Sequence, residues 1–438
     1  MKNELVIKNG RVIDPSQGLD EIRDLHIADG VIKSGGRNLP TPAGAKEIDA
    51  SGMIVSPGLI DMHTHLREPG REDEETLSTG TRAAAAGGFT SVCCMPNSIP
   101  VCDTRTSVKY IIANVAETGV VNVHPVAAIT MGQNGDAITE FGDLVEAGAI
   151  AFSDDGHPVM NAEIMRRALE YTAMFDVPIL DHCEDINLSA DGVMHEGFVQ
   201  SLLGLPGIPA AAETVQVARD IELVEFFGGR LHICHTSAAG SIHIIRRAKK
   251  RGVKVTCEVT PHHLTLTDAL VKETGFDTNT KVKPPLVSED NRQELIRGLQ
   301  DGTIDVIATD HAPHTDKDKD KVYLDAPFGL IGMETAIPIL FTEIVHKGIL
   351  TVNKLIEKMT INPANILKLD RGTLREGKAA DITIIAPEKT HVIKPDTFFS
   401  KSRNTPFGGK ECRGAVHMTI VGGRIVFANG IITGDGRE

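Results

Sequence analysis

Asp61-Met62-His63-Thr64-His65-Leu66-Arg67-Glu68-Pro69-Gly70 follows directly on an apolar run, Met53-Ile54-Val55-Ser56-Pro57-Gly58-Leu59-Ile60. In an extended chain, side chains two apart share a face. If the run is a strand, His63 and His65 point the same way, as a chelating pair of metal ligands must. Arg67 stands two further on, placed to hold an anion beside the metal. A bare His-x-His often arises by chance, so its weight comes from what the rest of the chain sets beside it.

Outward from this segment, residues 54–368 alternate apolar strands with helical patterns, the texture of a parallel α/β unit. Strands are predicted over 59–65, 90–95, 121–127, 149–153, 178–181, 231–234, 254–259 and 304–309. Helical segments lie between them, most clearly at 76–87, 161–174 and 241–251. Eight such units predict a (β/α)8 TIM-like barrel. Residues 1–53 and 369–438 instead show short alternating strands, with Asn9-Gly10 and Asp29-Gly30 as hairpin signals. They predict a small β-sandwich domain built from both termini.

In such barrels the reacting groups occupy the C-terminal ends of the strands. Strand one ends in His63 and His65, and strand four in Ser153-Asp154-Asp155-Gly156. Strand five ends in Asp181-His182-Cys183-Glu184, strand six in Cys234-His235-Thr236, and strand eight in Asp310-His311-Ala312-Pro313-His314. Four imidazoles and two carboxylates at one rim suit borderline divalent ions such as Zn2+, one or two per chain. Taken singly, each has an ordinary structural reading. A lone histidine is more often hydrogen-bonded framework, Asp154-Asp155-Gly156 alone reads as a turn, and Cys93, Cys183 and Cys234 read as small buried hydrophobes. It is their recurrence at corresponding strand ends that favours ligands. His262-His263 has no such placement and reads as core or as support for a ligand. Thr315–Lys321 reads as a solvated charged loop, with a mobile lid as the sharper alternative.

Composition sets the surroundings. The formal net charge of -14 opposes nonspecific binding to nucleic acid or to anionic membranes. It also means that an anionic small-molecule substrate needs local positive charge. Seven scattered cysteines form no disulfide framework and fit a reducing cytoplasm. The start lacks the apolar stretch of a signal peptide, and no run is long and apolar enough for a membrane span.

The string from Asp61 to Gly70 resembles the first metal motif of the amidohydrolase superfamily, and its second half resembles dihydroorotases of the bacterial type I. Met95-Pro96-Asn97-Ser98, Asp310–His314, Ala326-Pro327-Phe328-Gly329 and Ser402–Gly408 extend the resemblance over nearly the whole chain. It implies His63, His65, Asp155, His182, His235 and Asp310 as metal ligands. It also implies that Arg67, Asn97 and His314 hold a substrate carboxylate, with His65 beside them and backbone contacts from Phe328 and Gly329. Two departures stand out. Many relatives carry a carboxylated lysine where this chain has Asp155, and Lys283 replaces an asparagine that contacts substrate.

The resemblance implies reversible closure of N-carbamoyl-L-aspartate into dihydroorotate, with Asp310 moving the proton. A homodimer is expected, and association with aspartate transcarbamoylase is open to such a chain. Two other readings stand beside it. One is another cyclic amidase, such as a hydantoinase or allantoinase, which needs no carboxylate clamp. The other is a non-catalytic partner of aspartate transcarbamoylase, a kind of protein that loses metal ligands; here all six candidates are present.

Overall fold

The computed structural model describes residues 4–433. Eight parallel strands run in sequence order around its centre: Leu59–Thr64, Phe89–Cys94, Asn122–Ala127, Ala151–Phe152, Ile179–Asp181, Leu231–Ile233, Val255–Val259 and Val306–Ile307. The first two are buried at every position, as strands covered on both faces must be. Closure is made past the eighth strand. His311 bridges Thr64 in parallel, and the His65 amide donates to the His311 carbonyl at 2.8 Å. Asp61 reinforces the seam, accepting from the Thr309 amide (3.0 Å) and hydroxyl (2.6 Å) and from the His63 amide (3.2 Å). The expected (β/α)8 barrel is present.

The intervening helices form where the chain supplies their ends. Thr76 and Thr79 make a reciprocal capping box for Leu77–Ala86. Asn161 caps Ala162–Ala173. Ala239–Arg251 ends in Lys249, Lys250 and Arg251, which oppose the negative end of its dipole, before Gly252 turns left-handed.

Strands from both termini form one continuous nine-stranded sheet. Ile54–Pro57 joins the halves, pairing in parallel with Leu5–Asp14 and antiparallel with Ile382–Val392. The apolar run before His63 is thus two strands, broken at Gly58. A Cβ on Gly58 would lie 2.0 Å from Thr90 Oγ1, so no other residue fits the break. Leu5, Ile7 and Ile27 share one core with Ile382, Ile384 and Ile420, so the sheet closes on its own apolar side.

Asp29-Gly30 does turn between Leu19–Ala28 and Val31–Gly36. Asn9-Gly10 does not: it is a bulge inside Leu5–Asp14, with one extra residue between Ile7 and Gly10. Packing decides this, because a Cβ on Gly10 would meet Val55 Cγ2 at 2.5 Å. The charged segment 315–321 also differs from a fully solvated loop. It holds a short helix, Asp316–Lys319, and Lys319 is buried with its Nζ on the carbonyls of Thr278 (3.0 Å) and Pro327 (2.8 Å).

Candidate active site

The C-terminal ends of the strands bring the six sequence-derived donors together. His63 is fully buried, and its Nδ1 meets Glu258 Oε1 at 2.7 Å. Its Nε2 therefore faces the mouth, 3.3 Å from Asp155 Oδ1 and 3.5 Å from Asp310 Oδ1. His65 Nδ1 rests on Asn97 Oδ1 (2.8 Å), which turns its Nε2 to Asp310 Oδ1 (3.1 Å) and Asp155 Oδ2 (3.4 Å). His182 Nδ1 and His235 Nε2 each lie 3.4 Å from Asp155 Oδ1 and 2.9 Å from one another. One carboxylate, Asp155, thus faces four imidazoles.

Its neighbour does not compete. Asp154 Oδ1 accepts from the amides of Ile129 (2.8 Å) and Thr130 (3.1 Å), and its Oδ2 takes the Thr130 hydroxyl. Asp154 anchors the loop after strand three and points away from the mouth. Arg67, His235 and Asp310 all adopt left-handed backbone, with φ of 62°, 31° and 49°. For residues with a Cβ this costs roughly 1–2 kcal/mol each, and such strain collects where surroundings hold a side chain in one direction.

Charge explains the geometry. Burial pushes Asp310 up, but the charge of His63 and the hydrogen bond from His65 outweigh it and bring the group down to about 2. Asp155 is likewise driven well below its ordinary value, against its burial, by His63, His182 and His235. Conversely, burial opposes protonation of His182, yet the neighbouring carboxylates of Asp155 and Glu184 raise it to about 9. The carboxylates hold positive charge at this spot. His63 Nε2 and Asp155 Oδ1 are nevertheless buried with no hydrogen-bond partner. At 3.3 Å their alignment fails as a hydrogen bond, which is how two ligand atoms directed at a common ion lie. The donor atoms of His63, His65 and Asp310 fall within 4.8 Å of one another, as do those of His63, Asp155 and His235. Nitrogen and oxygen donors in these sets fit a borderline divalent cation.

A cavity of about 340 Å3 opens above the donors, walled by Arg67, Asn97, Lys283, His314, Phe328 and Gly329. Arg67 is buried, which lowers it to about 10, and its Nε lies 3.1 Å from both Glu74 Oε2 and the Pro313 carbonyl. Glu74 Oε1 also meets His314 Nδ1 at 3.1 Å, while His314 Nε2 donates to the Phe328 carbonyl at 2.7 Å. Gly329 uses its amide on the Lys281 carbonyl (2.9 Å) and its carbonyl on Asn404 Nδ2 (3.1 Å). Lys283 Nζ lies 3.0 Å from Glu184 Oε1. His311 stays outside the cluster on Glu75, and His262 and His263 are buried in the short helix Pro261–Thr265.

Sequence reading missed three supporting residues. Glu258 also accepts from His232 Nε2 (3.1 Å) and the His235 amide (3.2 Å), so it orients two strand ends at once. A carboxylate between Cys257 and Val259 in strand seven was the available signal, since a buried acid requires partners. Glu74, the counter-ion of Arg67, gave none. Asn404 lies within the segment Ser402–Gly408, and its Nδ2 donates to the Ala312 carbonyl (3.0 Å) while its Oδ1 accepts from the His314 amide (3.2 Å).

A parallel barrel with histidines and acids gathered at its C-terminal mouth defines the class of amidohydrolase-type barrels. Sequence comparison agrees: residues 52–241 match a family model described as dihydro-orotase-like, and residues 346–427 match the amidohydrolase family. The chain is 56% identical over 429 residues to the dihydroorotase of Pelotomaculum thermopropionicum, covering 98% of this chain and all of that one. It is 52% identical over 423 residues to the dihydroorotase of Geobacter metallireducens, covering 97% and 99%. In architecture it is similar to an L-hydantoinase from Arthrobacter aurescens (TM-score 0.88, 24% identity, 98% and 97% covered). A dihydropyrimidinase from Brevibacillus agri is similar too (TM-score 0.85, 23% identity, 99% and 96% covered). At such identities the solved structures speak for the fold alone. The chain belongs to the dihydroorotase family, within the amidohydrolases. Among the described residues no helix is long and apolar enough to cross a membrane.

Proposed function

We propose that this chain catalyses the reversible, Zn2+-dependent cyclisation of N-carbamoyl-L-aspartate to (S)-dihydroorotate and water in the cytoplasm, as a step toward UMP. The observation that carries the reading is the buried guanidinium of Arg67 in the same cavity as five of the six donors, His65, Asp155, His182, His235 and Asp310. A guanidinium meets a carboxylate with two parallel hydrogen bonds, so it fits a substrate with a fixed anion beside the scissile amide.

His63, His65, Asp155, His182, His235 and Asp310 would hold one or two Zn2+ ions. When bound, Zn2+ lowers the pKa of water to about 7 and polarises a carbonyl oxygen. The protein's own groups do the rest. Arg67 and His314 grip the carboxylate that the ring retains, and Asn97 fixes His65 while lining the same wall. Phe328 and Gly329 form the facing rim. In ring opening the Asp310 carboxylate takes the proton from the attacking water and returns it to the ring nitrogen; in closure it acts in reverse. Burial of the donors keeps bulk water from screening these charges.

In this reading residues 54–368 are the catalytic unit, and 1–53 with 369–438 form its companion. A homodimer and an association with aspartate transcarbamoylase belong to it as well; exposed Phe198, Leu202, Val322 and Leu324 support protein contacts. The test is turnover of dihydroorotate, hydantoin and allantoin by protein stripped with chelator and reloaded with Zn2+. Zn2+-dependent turnover of dihydroorotate alone is expected. Comparable turnover of hydantoin would overturn the assignment.

A further inference from the structure

Among the described residues Lys283 is the one lysine that lines the cavity, and its backbone and its ammonium are held by different parts of the fold. The Lys281 carbonyl accepts from Gly329 (2.9 Å) and the Pro284 carbonyl from His263 Nε2 (3.0 Å), so the segment is pinned on both sides. The side chain of Lys283 is 29% exposed and passes the ring of Phe328, with Nζ 5.3 Å from its centroid. Its ammonium ends 3.0 Å from Glu184 Oε1, while Glu184 Oε2 lies 3.1 Å from His182 Nε2. The contact is an ion pair without hydrogen-bond alignment, and it leaves Glu184 Oε1 with no hydrogen-bond partner; an ammonium has three donors to offer an incoming acceptor. Lys283 therefore leans toward the strand-five sector and its imidazoles. Arg67 and His314 instead belong to strands one and eight.

The two forms of the proposed substrate differ in charge. The open form is a dianion; with one proton it gives the ring, a monoanion, and water. The carboxylate that closure consumes exists only in the open form and must lie toward the histidines and Asp310. We propose that Lys283 is a specificity-determining residue that binds this second carboxylate, with Glu184 holding the ammonium in place when the cavity lacks it. This rests on the cyclisation reading above. Arg67 anchors either form; Lys283 distinguishes them.

The equilibrium constant of the overall reaction fixes the ratio of kcat/KM in the two directions, so no substitution can change that ratio. The discriminating readout is the split between the two KM values. Lys283→Gln should raise KM for N-carbamoyl-L-aspartate about tenfold, the effect of one charge-assisted hydrogen bond. KM for dihydroorotate should stay within about twofold, and kcat/KM should fall by one common factor in both directions. Lys283→Arg keeps the charge and should keep the wild-type split, which also guards against a glutamine variant that folds poorly. Equal rises in both KM values, or no rise in either, would overturn the role. A wild-type protein inert toward both substrates would instead overturn the activity itself, and this role with it.

Discussion

Glu258→Gln should weaken metal binding while leaving the barrel folded. The carboxylate of Glu258 is buried, and burial alone would raise its pKa. The charge of His63 and the bonds from His232 and His63 outweigh that and hold it well below the ordinary range. Oε1 takes His63 Nδ1 and the His235 amide, and Oε2 takes His232 Nε2. A glutamine can keep its carbonyl oxygen at the Oε1 position and turn its NH2 toward His232. That ring can then shift its proton, because its Nδ1 sits 2.8 Å from Thr256 Oγ1, a hydroxyl able to accept as well as donate. No buried donor is stranded, so the fold should survive. What is lost is negative charge behind His63, which makes its Nε2 a better ligand. Exchanging a charge-assisted bond for a neutral one costs about 1–1.5 kcal/mol. That is roughly tenfold in affinity, the lower end of the 10–100-fold typical for groups that orient a metal-bound histidine. Competition of the apo-protein with a chromophoric chelator for Zn2+ measures it, alongside thermal melting without metal. Unchanged affinity in a variant that melts like wild type would refute the orienting role.

Asp310→Asn should abolish turnover with little change in melting, because an amide fills the same volume but cannot carry the proton; wild-type kcat would remove Asp310 from catalysis. Asp155→Ala should lose metal while Asp154→Ala keeps it and loosens the loop at Ile129–Thr130, read by Zn2+ titration of each. Zn2+ added in CO2-free buffer should restore activity to stripped protein as fully as Zn2+ with bicarbonate, since Asp155 already supplies the strand-four carboxylate; a strict need for bicarbonate would point to a modified lysine. Burial, with help from Lys281, lowers Lys319 from 10.5 to about 7. The unfolded chain therefore binds more protons between those values, so stability should climb with pH across that window, by at most about 1.4 kcal/mol per pH unit. Lys319→Met should flatten the climb between pH 7 and 9.5 in urea denaturation, and an identical slope in both proteins would exclude Lys319 as its source.

The barrel was legible because each of its strands is an apolar run between turn and helix signals, a property written locally. The donors were legible for a related reason: strand ends fall at one rim, so side chains far apart in sequence share a neighbourhood once the strands are counted. What failed was whatever depended on a distant partner. Asn9-Gly10 has the composition of a hairpin, yet the methyls of Val55 demand a glycine there and the strand runs on through a bulge. Lys319 sits in a run of alternating charges that reads as solvated, but the carbonyls of Thr278 and Pro327 make a place for its ammonium. Glu74 meets Arg67 only because the loop after strand one doubles back. The choice of Asp155 over Asp154 rests on the family resemblance; the structure adds that Asp154 is tied to Ile129 and Thr130, contacts no local pattern announces.

The electrostatics of the mouth follow one rule. Asp155, Asp310 and Glu258 are three buried carboxylates close together, where isolated anions are very costly. Without metal, the compensation comes from protons: His63 is raised well above its ordinary value despite full burial, by Asp155 foremost among its neighbours, and His182 rises to about 9. A divalent cation offers the same compensation with better geometry, since it requires the neutral imidazole lone pairs that those protons occupy. A metal would therefore compete with protons for one set of atoms, and Glu258 and Asn97 would bias the contest by turning His63 Nε2 and His65 Nε2 inward. Arg67 stays outside it, because Glu74 and the Pro313 carbonyl hold its Nε and so fix the guanidinium on the wall, away from the donors. The net charge of -14 makes that separation matter. In a chain this acidic an anion finds few places to settle, and the cavity keeps its cations on the walls and its carboxylates on the floor.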